Sequence, residues 1–216
     1  MRKFTNTLLS SAIVLTLGFC LFSQSSQAIE LTVLGGLSRS TPDVTPVTLT
    51  YKARNSYAGG ALLGLRYKRF FGIETGAIYA NNKFGSDLAN VDGVSVSGDT
   101  SFNSIQIPLL LRFTVLPLIS FGVGGYYSMG IGQVSETLSV GGAPAATATS
   151  TYADAGLKTS DYGFLGDVRI RLPLIPTFGF ILDFRYLYGF GNLSADAAAK
   201  IYLTDMQAFA GLQFGL

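Results

Sequence analysis

Apolar and polar residues alternate with a period of two along nearly the whole chain beyond its first thirty positions. This is the pattern of strands that present two different faces. The clearest run is Ile105 to Val115. Ile105, Ile107, Leu109, Leu111, Phe113 and Val115 share one face, and Gln106, Pro108, Leu110, Arg112 and Thr114 share the other. Phe178 to Tyr188, Phe121 to Ile131, Tyr162 to Leu172 and Met206 to Leu216 repeat the scheme. Tyr57 to Tyr67, Ile73 to Asn81 and a weaker Ile29 to Ser38 complete it. Eight strands are predicted, each about 10 residues long, the length a tilted strand needs to cross a bilayer.

The connections between them alternate in length. Lys68-Arg69-Phe70, Leu116-Pro117-Leu118 and the stretch from Pro173 to Thr177 are short. The links 39–56, 83–102, 133–160 and 190–203 are long and rich in small polar residues. Short turns on one rim and long loops on the other are the outer-membrane pattern, and an even strand count closes the sheet with both ends on one side. The predicted fold is all-β: an eight-stranded antiparallel up-and-down transmembrane β-barrel. Closure also removes the edges that an apolar open sheet would expose. The third loop, around Gly141-Gly142-Ala143-Pro144, is expected to be mobile because of its low complexity.

The first segment has a different character. Arg2 and Lys3 precede an apolar stretch from Leu8 to Phe22, and Ser26-Gln27-Ala28 supplies small residues for cleavage. Residues 1–28 therefore read as a signal peptide, leaving 29–216 as a single barrel domain. A transmembrane anchor is the alternative, but the apolar run is short for one. A lipoprotein signal ending at Cys20 is disfavoured by Phe19.

Composition sharpens the reading. The 216 residues carry 15 Lys+Arg and 13 Asp+Glu. Loss of Arg2 and Lys3 leaves the two signs equal, so nothing favours nucleic acid as a partner. The one Cys lies in the signal and there is no His, which disfavours disulfides and the usual zinc or copper sites. Mean hydropathy is +0.39. The longest charge-free stretch outside the signal, Phe113 to Ser135, contains Pro117 and several glycines and would make a poor helix. An apolar exported chain without a helical span is left with the closed barrel. Tyr51, Tyr57, Tyr67, Phe70, Phe71, Tyr79, Phe121, Tyr162, Phe178 and Tyr188 lie near predicted strand ends and suit interfacial girdles.

The run Ile105-Gln106-Ile107-Pro108-Leu109-Leu110-Leu111-Arg112-Phe113 resembles a strand of the small Gram-negative outer-membrane β-barrel families, porin-like or of OmpX or OmpW type. Gly59-Gly60-Ala61 to Tyr67, followed by Phe71-Gly72-Ile73-Glu74-Thr75-Gly76, resembles their second hairpin. The resemblance implies outer-membrane lipid and lipopolysaccharide as surroundings and insertion by the barrel-assembly machinery. Leu216 stands where the assembly signal of such barrels usually has Phe, with Phe214 two positions inward.

The candidate chemistry is a set of charges on the inward faces: Arg66, Glu74, Arg112, Asp167, Arg169, Arg171, Asp183 and Arg185. Arg66 and Glu74 flank one short turn and are expected to face each other. Asp167, Arg169, Asp183 and Arg185 sit on neighbouring strands and are expected to cluster. An eight-stranded barrel is only wide enough for side chains to fill it, so opposite charges would pair and close the lumen. The alternative is a polar path for ions or small solutes. Asp167 and Asp183 also look like paired hydrolase carboxylates, but arginine neighbours would keep both ionised and remove the acid. Gly93-Val94-Ser95-Val96-Ser97-Gly98 is a near miss for G-x-S-x-G without its strand–turn–helix context. No catalytic, cofactor or metal residues are assigned. The glycine pairs at 35–36, 59–60 and 124–125 are expected to relieve crowding or bend strands. Lys52, Arg54, Asp87, Asp92, Asp154 and Lys158 read as solvated loop charges.

Three functions follow. The first is a non-enzymatic barrel with a filled lumen, whose loops contact an extracellular partner. The second is a narrow pore or OmpW-type channel for small or apolar solutes. The third is a soluble exported barrel that binds an apolar ligand.

Overall fold

A computed structural model describes residues 27–45, 50–67, 70–91, 94–116, 118–175, 177–196 and 198–215. The first 26 residues, the bulk of the expected signal peptide, lie outside the described residues, as do Lys68, Arg69, Asp92, Pro117 and Leu216.

The strands are β1 (Gln27–Thr45), β2 (Thr50–Tyr67), β3 (Phe71–Val91), β4 (Val94–Leu116), β5 (Ile119–Val140), β6 (Ala143–Ser150), β7 (Ser160–Ile175), β8 (Phe178–Gly189) and β9 (Lys200–Gly215). All pairings between them are antiparallel. β1 pairs with both β2 and β9, and β5 pairs with both β4 and β7, so eight strands close a ring. β6 stands outside the ring and pairs only with the outer part of β5, Val134 to Val140.

The period-two pattern is realised as two faces. Along β8, buried residues alternate with exposed or half-buried ones throughout. Leu109, Val115 and Phe184 are exposed, while Leu110, Ile181 and Leu187 are fully buried. In this ring the exposed stripe is the outer wall, and a bilayer is the solvent that satisfies it. Among the described residues, no helix is long and apolar enough to cross a membrane.

The strands are longer than expected. Among the described residues, the stretches 39–56 and 83–102 are almost entirely ladder. Above the membrane the backbone groups still need partners, and continuing the hairpin supplies them. The alternation marks only the part of each strand that meets lipid, because a water-facing hairpin accepts polar residues on both sides. The third loop also differs from expectation: Ala143–Ser150 is β6, and the turn after it tucks Tyr152 into the barrel mouth. There Tyr152 packs with Phe84, Phe102, Val134, Leu193 and Leu203 in a small apolar cap. Its hydroxyl donates to the Asn103 carbonyl at 2.6 Å. Leu193, from the link 190–203, enters the same cap and puts that loop over the mouth.

The glycine pairs divide their roles. A Cβ on Gly36, Gly60 or Gly124 would come within 2.0–2.1 Å of a neighbouring strand's carbonyl oxygen. Their partners Gly35, Gly59 and Gly125 meet nothing closer than 3.2 Å. One glycine of each pair lets adjacent strands coil tightly as the sheet closes.

Candidate functional site: a closed ionic network in the lumen

Six of the eight predicted charges meet in one network. Glu74 projects inward from β3, Arg112 from β4, Asp167 and Arg169 from β7, and Asp183 and Arg185 from β8. Each occupies the inward phase of its strand, so strand alternation brings it to the lumen and the ring brings the strands together. Arg169 Nη1 donates to Glu74 Oε2 at 2.6 Å, and its Nε donates to Asp183 Oδ2 at 2.9 Å. Arg112 Nη2 donates to Glu74 Oε1 at 2.8 Å and to Asp167 Oδ2 at 2.7 Å. Arg112 Nη1 also reaches Asp167 Oδ1, which makes that pair two-pronged. Arg185 donates to Asp183 and lies 5.5 Å from the Phe209 ring centroid, a cation–π contact. Three guanidinium groups and three carboxylates thus balance, and all six residues are at least 93% buried.

Arg66 and Arg171 are placed elsewhere. Strand register sets Gly64 opposite Glu74 and Arg66 opposite Gly72, so the expected Arg66–Glu74 pair does not form. Arg66 instead pairs with Glu30 at 2.7 Å, and Arg171 lies 3.9 Å from the same carboxylate. Gln213 donates to Glu30 at 2.9 Å. Glu30 was missed because it sits in the weakest predicted strand. Its alternation with Ile29 and Leu31 carried the signal.

Above the ionic layer, Gln207 donates to Gln106 at 3.0 Å, and the Tyr126 hydroxyl donates to Asp161 at 2.7 Å. Apolar groups fill the remaining lumen. Leu34, Leu62, Ile78, Ile181 and Phe209 pack on one side, and Leu110, Tyr126, Leu165 and Leu187 on the other. Spaces beside the network are small. One bordered by Glu30, Arg66, Glu74 and Arg112 measures about 10 Å³, and one bordered by Arg112, Arg169, Arg171 and Gln213 about 20 Å³. Each is room for about one water.

Asp167 and Asp183 lie in the same network, Asp167 accepting from Arg112 and Asp183 from Arg169. Residues 94–98 of the near-miss serine motif run into β4 as strand. Among the described residues, no group of three His, Cys, Asp or Glu side chains could hold a metal ion. The loop charges pair on the surface: Lys52 with Asp87 at 2.7 Å and Arg54 with Asp99 at 2.7 Å. Tyr57, Tyr79, Tyr162 and Tyr188 do face outward. Tyr51 does not join a girdle; it packs edge-on against Phe84 at the cap.

A closed antiparallel ring with an apolar outer wall and a polar interior crossed by a charge-balanced network defines a transmembrane β-barrel of the outer-membrane class. The sequence matches the family described as outer membrane protein beta-barrel domain over residues 22–195, and the chain belongs to that family. Among solved structures, it is similar to Ail, the attachment invasion locus protein of Yersinia pestis, at 16% identity and a TM-score of 0.41, covering 86% of this chain and 98% of that one. It is similar to Neisserial surface protein A at 11% identity and a TM-score of 0.46, covering 85% and 96%. It is also similar to OprG of Pseudomonas aeruginosa, at 13% identity and a TM-score of 0.46, covering 89% and 98%. A search of the curated proteins finds no match. The chain is an outer-membrane protein.

Proposed function

We propose that this protein is a non-conducting, non-enzymatic barrel, sealed by its ionic network, that serves the cell surface through its extracellular hairpins and cap. One observation carries the reading. Arg169, fully buried at the centre of the lumen, bonds to carboxylates from β3 and β8 at once and ties opposite walls together. An ion that passed this point would have to break pairs held in a region of low dielectric. Removing one partner of such a pair costs roughly 3–5 kcal/mol. Glu74, Asp167 and Asp183 are all bonded to arginines, and the chain has no His to act as a base, which supports a structural role for the network over a catalytic one. The long hairpins β1–β2, β3–β4 and β5–β6 extend beyond the lipid-facing part of the ring and are the elements offered for recognition.

Planar-bilayer recording of the purified protein tests the proposal. A silent bilayer is expected, with protein insertion verified independently. Steady single-channel steps would show that the lumen conducts.

A further inference from the structure

The outer wall carries a groove that the sealed lumen does not explain. It crosses β1, β9, β8, β7 and β5 and has a volume of about 750 Å³. Two register rows form it. One runs Arg39–Met206–Tyr186–Gly166–Val123 and the other Leu37–Ala208–Phe184–Val168–Phe121. Gly166 in the first row and Ala208 in the second leave the depression between large neighbours. Because the rows step across staggered strands, the groove is oblique. Val123 lies near the short-turn end of β5, whereas Arg39 lies well along β1 toward the long-loop rim.

Arg39 gives the groove a polar end. It is exposed on the same outward face as Leu37, one step beyond the Leu37–Tyr57 pair. Tyr57 stacks on Tyr79, with ring centroids 6.2 Å apart, in the outer aromatic zone. Arg39 Nη1 donates to the neutral Asn55 side chain at 3.5 Å. Asp167 and Arg185 also border the groove, but their side chains are committed to the lumen network. An exposed guanidinium at the outer interface, above an acyl-sized apolar trough, is complementary to a lipid with a phosphate on its headgroup.

We propose that this wall binds a phosphorylated glycolipid of the outer leaflet, with a phosphate on Arg39 and an acyl chain lying over Ala208 and Gly166. The inference needs the barrel's outer-membrane location and is independent of whether the lumen conducts.

The test uses the full barrel in phospholipid nanodiscs. Binding is measured for bisphosphorylated lipid A, dephosphorylated lipid A and phosphatidylglycerol, with wild type, Arg39→Ala and Gly166→Leu. A Cβ at Gly166 meets only ordinary contacts, the nearest being the Phe164 ring at 3.5 Å, so a larger side chain can fill the groove from the lipid side. Heat-modifiable gel migration checks folding, and Ala208→Leu replaces Gly166→Leu if that variant does not fold. Arg39→Ala should weaken bisphosphorylated lipid A about fivefold, the scale of one charged contact near an anionic surface, and leave the dephosphorylated form unchanged. The groove-filling variant should weaken both forms. The proposal is overturned if Arg39→Ala has no effect, if filling the groove has no effect, or if phosphatidylglycerol binds as tightly as bisphosphorylated lipid A.

Discussion

Glu74→Ala is the sharpest probe of the sealed lumen. Glu74 accepts from Arg169 Nη1 at 2.6 Å, from Arg169 Nη2 at 2.9 Å and from Arg112 Nη2 at 2.8 Å, and it is 3% exposed. Its removal leaves three guanidinium groups facing two carboxylates in a space with room for about one water. Breaking a buried pair from one side typically costs 3–5 kcal/mol, so the barrel should lose about 4 kcal/mol. Stability can be read from urea titrations of vesicle-embedded barrel, scoring the fraction that migrates as folded without boiling. The chain has no Trp to report fluorescence. The double variant Glu74→Ala, Arg169→Met restores the balance of charge. Its loss should therefore fall short of the sum of the single losses by roughly 1–3 kcal/mol. A Glu74→Ala loss below about 1 kcal/mol would mean that water reaches the cluster and screens it, as at exposed pairs. The lumen would then be open to water and unsealed.

Two further predictions concern the ladder and the cap. Gly60→Ala places a Cβ 2.1 Å from the Ala77 carbonyl oxygen and should destabilise the barrel by roughly 1–3 kcal/mol, whereas Gly35→Ala, where the space is open, should cost little; paired urea titrations compare them. Burial pushes the Tyr152 phenol up to about 12. A folded value above the ordinary one near 10 means the cap's stability is fully present below pH 10 and is lost as pH rises towards 12. Protease sensitivity of the segment 151–159 should therefore increase over that window. Tyr152→Phe should flatten the increase while costing about 1 kcal/mol for the bond to Asn103. An identical alkaline profile in both proteins would exclude Tyr152 as the cause.

Much of the wall was legible in the order of residues. A strand's side chains alternate strictly, so the phase of Ile105 to Val115 or Phe178 to Tyr188 dictates which residues meet lipid and which turn inward. The same phase selected all six members of the lumen network. It also selected Arg66 and Arg171, which proved to serve Glu30 instead. Strand phase says that a residue points inward but not how high in the lumen it sits, and the expected Arg66–Glu74 pair failed on that distinction.

Height is a property of the closed ring. Glu74 and Arg169 are separated by 95 positions in sequence, and Gln213 and Glu30 by 183. They meet because staggered pairing around eight strands brings particular rungs level, and the stagger is fixed only when the ring closes by β1 joining β9. The cap and the lipid-side groove follow the same rule. Neither Tyr152 nor Gly166 has a local pattern that points to its role. Loop folding beyond the bilayer places the one, and a row running across five strands makes the other part of a trough. Local alternation therefore determined the two faces of the wall, while long-range closure decided which inward groups pair and which outward ones form a surface.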